Sequence, residues 1–142
     1  MRIASAGHSR ANLLEIRRHF RHVALAMSDS IQDLTAEIRA FRDARDWRQF
    51  HAPKEMAVGI AAEAGELLQH FVWQSPEQSE RRAQERRDQI AEEIADVALL
   101  LFELTDNLSL DLAQVMRAKL AKNNLRYPVE KARGSNKKYN EL

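Results

Sequence analysis

Glu63 constrains this chain more than any other residue, because a helix through Ile60-Ala61-Ala62-Glu63-Ala64-Gly65-Glu66-Leu67-Leu68-Gln69-His70-Phe71-Val72-Trp73 sets it inside an apolar stripe. Steps of three and four residues share one helical face, so Met56, Ile60, Glu63, Leu67 and Phe71 fall together. An ionised carboxylate in apolar surroundings is costly unless it is paired or bound to a metal. The sequence supplies company of one kind only. Glu66 lies one turn further on, and Glu93-Ile94-Ala95-Asp96 repeats the spaced carboxylate pair. The 26 residues between Glu66 and Glu93 suffice for the rest of one helix, a turn and the start of an antiparallel partner. The expected arrangement is four carboxylates facing each other across two helices and holding a hard divalent cation.

Oxygen-only ligands favour Mg²⁺, or Mn²⁺ in its place, over zinc, and Mg²⁺ keeps open positions for water and phosphate oxygens. A nucleoside triphosphate is the natural cargo of such a site. Glu92 competes with Glu93, but Glu93 lies nearer the apolar stripe and is preferred. A ferritin-like di-iron centre wants Glu-x-x-His, whereas His70 follows Glu66 by four and Glu63 by seven. Glu residues three or four apart on a helix are commonly just solvated, and taken singly Glu66, Glu93 and Asp96 fit that description. The repetition of the pair and the position of Glu63 favour a site. The competing reading is a non-catalytic helical interaction or nucleotide-binding protein.

At 142 residues the chain is long enough for one domain with a core. Lys and Arg number 22 against 21 Asp and Glu, so net charge points to neither a nucleic-acid nor a membrane partner. The absence of cysteine removes disulfides, thiolate zinc sites and cysteine nucleophiles. No run of about 18 apolar residues or secretory leader is visible, and a cytoplasmic protein is expected. Few Gly and Pro, abundant Ala, Leu, Glu and Arg, and no strand alternation indicate an all-α fold with a four-helix bundle-like core.

Residues 1–27 are rich in Arg and His and read as a loosely attached extension, Met27 being a candidate start, or equally as an extra helix packed on the domain; 28–142 read as the domain. Helices are expected over 31–45, carrying Leu34, Ile38 and Phe41, and over about 54–73, with Pro53 in the opening turn. A polar break is expected at 74–82. A third helix follows through Ile90, Ile94, Val97, Leu101, Leu104 and Leu108, and a fourth over about 110–124 after a cap at Ser109. The basic tail reads as disordered alone. The third helix is apolar nearly all round in its middle, which demands burial on more than one side and predicts a homo-oligomer, dimer or tetramer.

Glu63-Ala64-Gly65-Glu66 and Glu93-Ile94-Ala95-Asp96, at this separation, resemble the E-x-x-E, E-x-x-D signature of the MazG-like all-α nucleotide pyrophosphohydrolases. The likeness is greatest to the dCTP pyrophosphatase branch. It extends over roughly 28–139, through Arg45-Asp46-Trp47, Phe50-His51, Phe71-x-Trp73, and Lys119 with Asn123 before Arg126-Tyr127-Pro128. The resemblance implies hydrolysis of a nucleoside triphosphate between the α and β phosphates. It also implies Mg²⁺ held by Glu63, Glu66, Glu93 and Asp96, and Glu63, the most buried of the four in prospect, is the candidate for orienting or deprotonating the attacking water. Lys54 and Lys119 are candidates for phosphate oxygens, with Asn123 one turn beyond Lys119. Trp47 and Trp73 are candidates for the base platform, at about 1–3 kcal/mol per stacked base. His51 is a candidate ligand contact, although a structural role suits it better. Ile38 and Leu100 depart from the polar or aromatic residues of the vertebrate enzymes, which bears on the cytosine preference and not on the reaction; the expected substrate is dCTP or a modified dCTP.

Overall fold

The computed structural model describes residues 30–142, and the expected extension at 1–27 lies outside them. Among the described residues there are helices and turns and no strand. Helix α1 spans Ile31–Asp43, and its N-terminus is capped by the Ser30 hydroxyl, which accepts from the Asp33 amide at 3.1 Å. It ends two residues earlier than expected, where Asp46 turns left-handed at φ 54° into a 3₁₀ turn, Trp47–Phe50.

Helix α2, Pro53–Gln69, opens on proline, whose missing N–H costs nothing in a first turn. It stops four residues short of Trp73. There the chain tightens, with the His70 and Phe71 amides bonding to Leu67 and Leu68 carbonyls at 3.3 and 2.9 Å, and Trp73 at φ 61° ends the run. Helix α3, Pro76–Glu85, replaces much of the expected polar break. Its start is a capping box: the Gln78 side chain accepts from the Ser75 amide at 2.7 Å, and Ser75 Oγ accepts from the Gln78 amide at 3.3 Å.

Helix α4 runs over Arg87–Asn107 and α5 over Leu112–Arg126, capped by Asp111 rather than Ser109 through a 2.9 Å bond from the Gln114 amide. The tail is ordered in part. Val129–Ala132 form a short α6, and Tyr139 packs edge-on to Tyr127 at 6.0 Å, with the Arg126 guanidinium 4.9 Å from its ring.

The α2–α4 pair is the centre of the fold, and α1 and α3 also pack on α4, so this helix is touched by three others. Gly59 makes the pair close, since a Cβ there would sit 3.1 Å from Leu100 Cδ1; at Gly65 nothing lies within 4 Å. The glycines therefore differ: one admits a neighbour and the other faces open space. The four long helices expected from the sequence are α1, α2, α4 and α5, yet within one chain α5 makes little contact with the rest. Among the described residues only Met56, Ile90 and Leu112 are buried apolar side chains, and Ile90 and Leu112 keep 8% and 9% of their surface exposed. Ile94, Leu99 and Leu101 of α4, Leu108 at its C-cap, and Val115, Met116, Leu120 and Leu125 of α5 stay exposed. None of these helices is long and apolar enough to cross a membrane.

Candidate active site

Packing of α2 on α4 sets the two carboxylate pairs opposite each other. Glu63, Glu66 and Glu93 each offer an oxygen within 4.8 Å of the others. Glu63 and Glu93 are half-buried and Glu66 is exposed, while the rejected competitor Glu92 is exposed and outside the trio. Asp96 also stands outside it, but it shares a pocket wall with Glu63. Burial pushes the Glu63 carboxyl above its usual range, and the charges of Glu66, Asp96 and Glu93 push the same way. Met56, Ile60, Leu67 and Phe71, the stripe around it, are buried or half-buried, which accounts for the desolvation.

Among the described residues no cationic side chain pairs with any of the four. A partly dry cluster of like charges calls for a counter-charge that the described residues do not provide. Its donors are all carboxylate oxygens, and Glu66 and Asp96 leave it open to solvent. That set fits a hard divalent cation of the Mg²⁺ or Mn²⁺ type better than zinc.

Beside the cluster lies a pocket of about 650 Å³, within the range of small-molecule sites. Leu34, Ile38 and Phe41 of α1 and Leu99 and Leu100 of α4 make it apolar, and Trp47, His51, Glu37 and Glu103 complete its wall. Trp47 stands edge-on to Phe41 at 5.8 Å, and the Arg45 guanidinium lies 3.6 Å from the Phe41 ring centre. These contacts hold the indole at the rim with 42% of its surface still exposed, enough for a flat ligand to stack on.

The structure thus brings Glu63, Glu66, Glu93, Asp96, Trp47 and His51 to one region. It does not bring the other candidates there within a single chain. Lys54 is ion-paired with Glu55 at 2.7 Å on the first turn of α2. Trp73 is 96% exposed, and Lys119 and Asn123 lie on α5; none of these lines the pocket. Sequence reading passed over Glu37, Phe41 and Glu103 as site residues. Glu103 was accessible to it: it follows Asp96 by seven, two helical turns along the same face.

The sequence profile of the MazG-like family matches residues 58–142. Among curated proteins, dCTP pyrophosphatase 1 of Bos taurus is 34% identical over 115 residues, covering 80% of this chain and 68% of the relative. The Mus musculus protein of that name is 35% identical over 127 residues, covering 88% and 73%. Among solved structures, a pyrophosphatase from Archaeoglobus fulgidus superposes with a TM-score of 0.63 at 30% identity, covering 89% of this chain and 99% of its own. A shared all-helical fold, the profile match and this level of identity place one conclusion on firm ground: the chain belongs to the MazG-like family.

Proposed function

We propose that this enzyme, a nucleoside triphosphate pyrophosphohydrolase, cleaves dCTP or a modified dCTP between the α and β phosphates, giving the monophosphate and pyrophosphate. Its role is to clear unwanted deoxynucleotides from the cytoplasmic pool. The observation that carries this reading is the uncompensated cluster of Glu63, Glu66, Glu93 and Asp96 at the edge of a pocket walled by Trp47.

A triphosphate and four carboxylates repel, so substrate and cluster come together only around a cation. Mg²⁺ bound there would neutralise phosphate charge and lower the pKa of a coordinated water. The four carboxylates would hold the cation. Glu63, half-buried beside the other three carboxylates, would orient the water or take its proton. Trp47 offers the base a stacking face, and Leu34, Ile38, Leu99 and Leu100 keep water from it. Glu37 adds an acceptor suited to an exocyclic amine, and the apolar Ile38 and Leu100 suit a substituent on the ring.

The reading includes assembly of the chain into a dimer or tetramer. Three buried apolar side chains among the described residues, and two helices exposing Leu, Ile, Val and Met, support that reading. In such an assembly Trp73, Lys119 and Asn123 reach the nucleotide from a second copy. The test is a screen of nucleoside triphosphates with pyrophosphate detection. dCTP and 5-methyl-dCTP should exceed dTTP and dGTP by about tenfold or more in kcat/KM, with no pyrophosphate when Mg²⁺ is chelated. Equal rates on all bases would remove the substrate assignment, and turnover in chelator would remove the metal.

A further inference from the structure

The most fully bonded polar construction among the described residues is not the carboxylate cluster but the far end of the pocket. There Glu103 and Asn107, one turn apart on α4, reach the connector that carries Trp47 and His51. His51 is held twice. Its ring Nδ1 bonds to the Glu103 carboxylate, and its backbone carbonyl accepts from Asn107 Nδ2 at 3.2 Å. Arg42 donates from Nη1 to Asn107 Oδ1 at 2.8 Å and stands 3.9 Å from the Glu103 carboxylate. The Asn107 amide is thereby fixed, oxygen toward Arg42 and nitrogen toward His51. Glu103 and Arg42 are 6% and 5% exposed, an unusual depth for two charged residues in so open a fold.

A carboxylate only accepts, so the proton of the ring sits on Nδ1. Nε2 has no partner among the described residues, and His51 lines the pocket beside Trp47. A carboxylate behind an imidazole is the usual means of fixing its tautomer and its direction.

We propose that Glu103 is a positioning residue for nucleotide recognition. It holds His51 with Nδ1 protonated and offers Nε2 to the bound nucleotide as a hydrogen-bonding group. With Asn107 and Arg42 it also sets the place of the connector on which Trp47 is carried. The proposal rests on the pocket being the nucleotide site. A merely structural Glu103, neutralising Arg42 at the α1–α4 contact, would affect stability and leave recognition alone.

The test uses the full chain and two readouts. In wild-type protein without nucleotide, ¹⁵N NMR of His51 should show a protonated Nδ1. In steady-state turnover of dCTP, Glu103→Ala should raise KM about tenfold with kcat within about threefold of wild type, and Glu103→Gln, whose carbonyl still accepts from Nδ1, should stay within about threefold in both. The double variant Glu103→Ala/His51→Ala should be no worse than His51→Ala, because one residue acts through the other. A wild-type ring protonated on Nε2 alone, an unchanged KM in a folded Glu103→Ala, or additive effects in the double variant would each overturn the role of Glu103. If Glu103→Ala does not fold, the wild-type spectrum and Glu103→Gln decide. A wild-type chain that shows the right tautomer but turns over no nucleotide would overturn the substrate reading, and the recognition role with it.

Discussion

The two halves of α4 carry the same kinds of acidic side chain under opposite conditions. Glu93 and Asp96 face Glu63 and Glu66 of α2, and among the described residues no cation answers any of them. Glu103 and Asp106, in the last two turns, face α1 and the connector, and each is met: Glu103 by His51 and Arg42, Asp106 by a forked pair of bonds from Arg39 and by Arg42 at 3.7 Å. The titration shifts follow. Glu63 is pushed up by burial and by its acidic neighbours, whereas the Arg39 hydrogen bond pulls Asp106 down. Negative charge near a helix C-terminus is disfavoured by the helix dipole, which makes the cations there more necessary. The neighbouring element, not the residue type, decides which carboxylates brace the fold and which remain available to bind.

The largest expected break in this contrast is catalytic. Glu63→Ala or Asp96→Ala should lower kcat/KM by at least about 100-fold, near 3 kcal/mol of transition-state stabilisation, with helical circular dichroism unchanged. Full activity in either would move the site elsewhere. At the braced end the loss should appear in stability. Arg42→Ala leaves buried Glu103 short of a cation and should cost about 2–4 kcal/mol in urea unfolding, and a cost under about 1 kcal/mol would mean that His51 suffices.

Acid should then act on the two ends with opposite signs in chelator. Glu63 binds its proton more readily folded than unfolded, so the cluster's penalty is full above the raised value and fades as pH falls toward the unfolded carboxylate value near 4.3. Asp106 binds its proton less readily folded, so its contribution is full above about 3.9 and is lost as pH falls through the depressed value. Melts across pH should therefore show Glu63→Gln raising the melting temperature by a few degrees at neutral pH, with little gain near pH 4. Asp106→Asn should lower it at neutral pH and matter least in strong acid. Arg39→Ala, removing a half-exposed partner, should have the smallest effect, because solvent screens an exposed ion pair.

Much of this was legible in the residues. The spacing of Met56, Ile60, Leu67 and Phe71 around Glu63 fixed both the α2 face and the anomaly within it, because helical period and desolvation are local facts. Helix α3 was also written locally, in Ser75 and Gln78, but Ser75-Pro76 and the following arginines outweighed it when read as a break. The bracing of Glu103 was not legible, since its partners lie 52 and 61 residues away in sequence and meet it only through the packing of α1 and the connector on α4. Trp73, Lys119 and Asn123, expected at the site from the sequence, lie outside the pocket of a single chain, and the local spacing that singled them out carries no information on which helices pack together.

The most direct test of the account is calorimetric titration of Mg²⁺ into the metal-free protein and into two variants, Glu63→Gln and Asp106→Asn. Saturable binding is predicted for the wild type and for Asp106→Asn, with loss of at least about tenfold in affinity for Glu63→Gln. Equal losses in the two variants, or no binding by the wild type, would contradict the division of α4 into a binding half and a braced half.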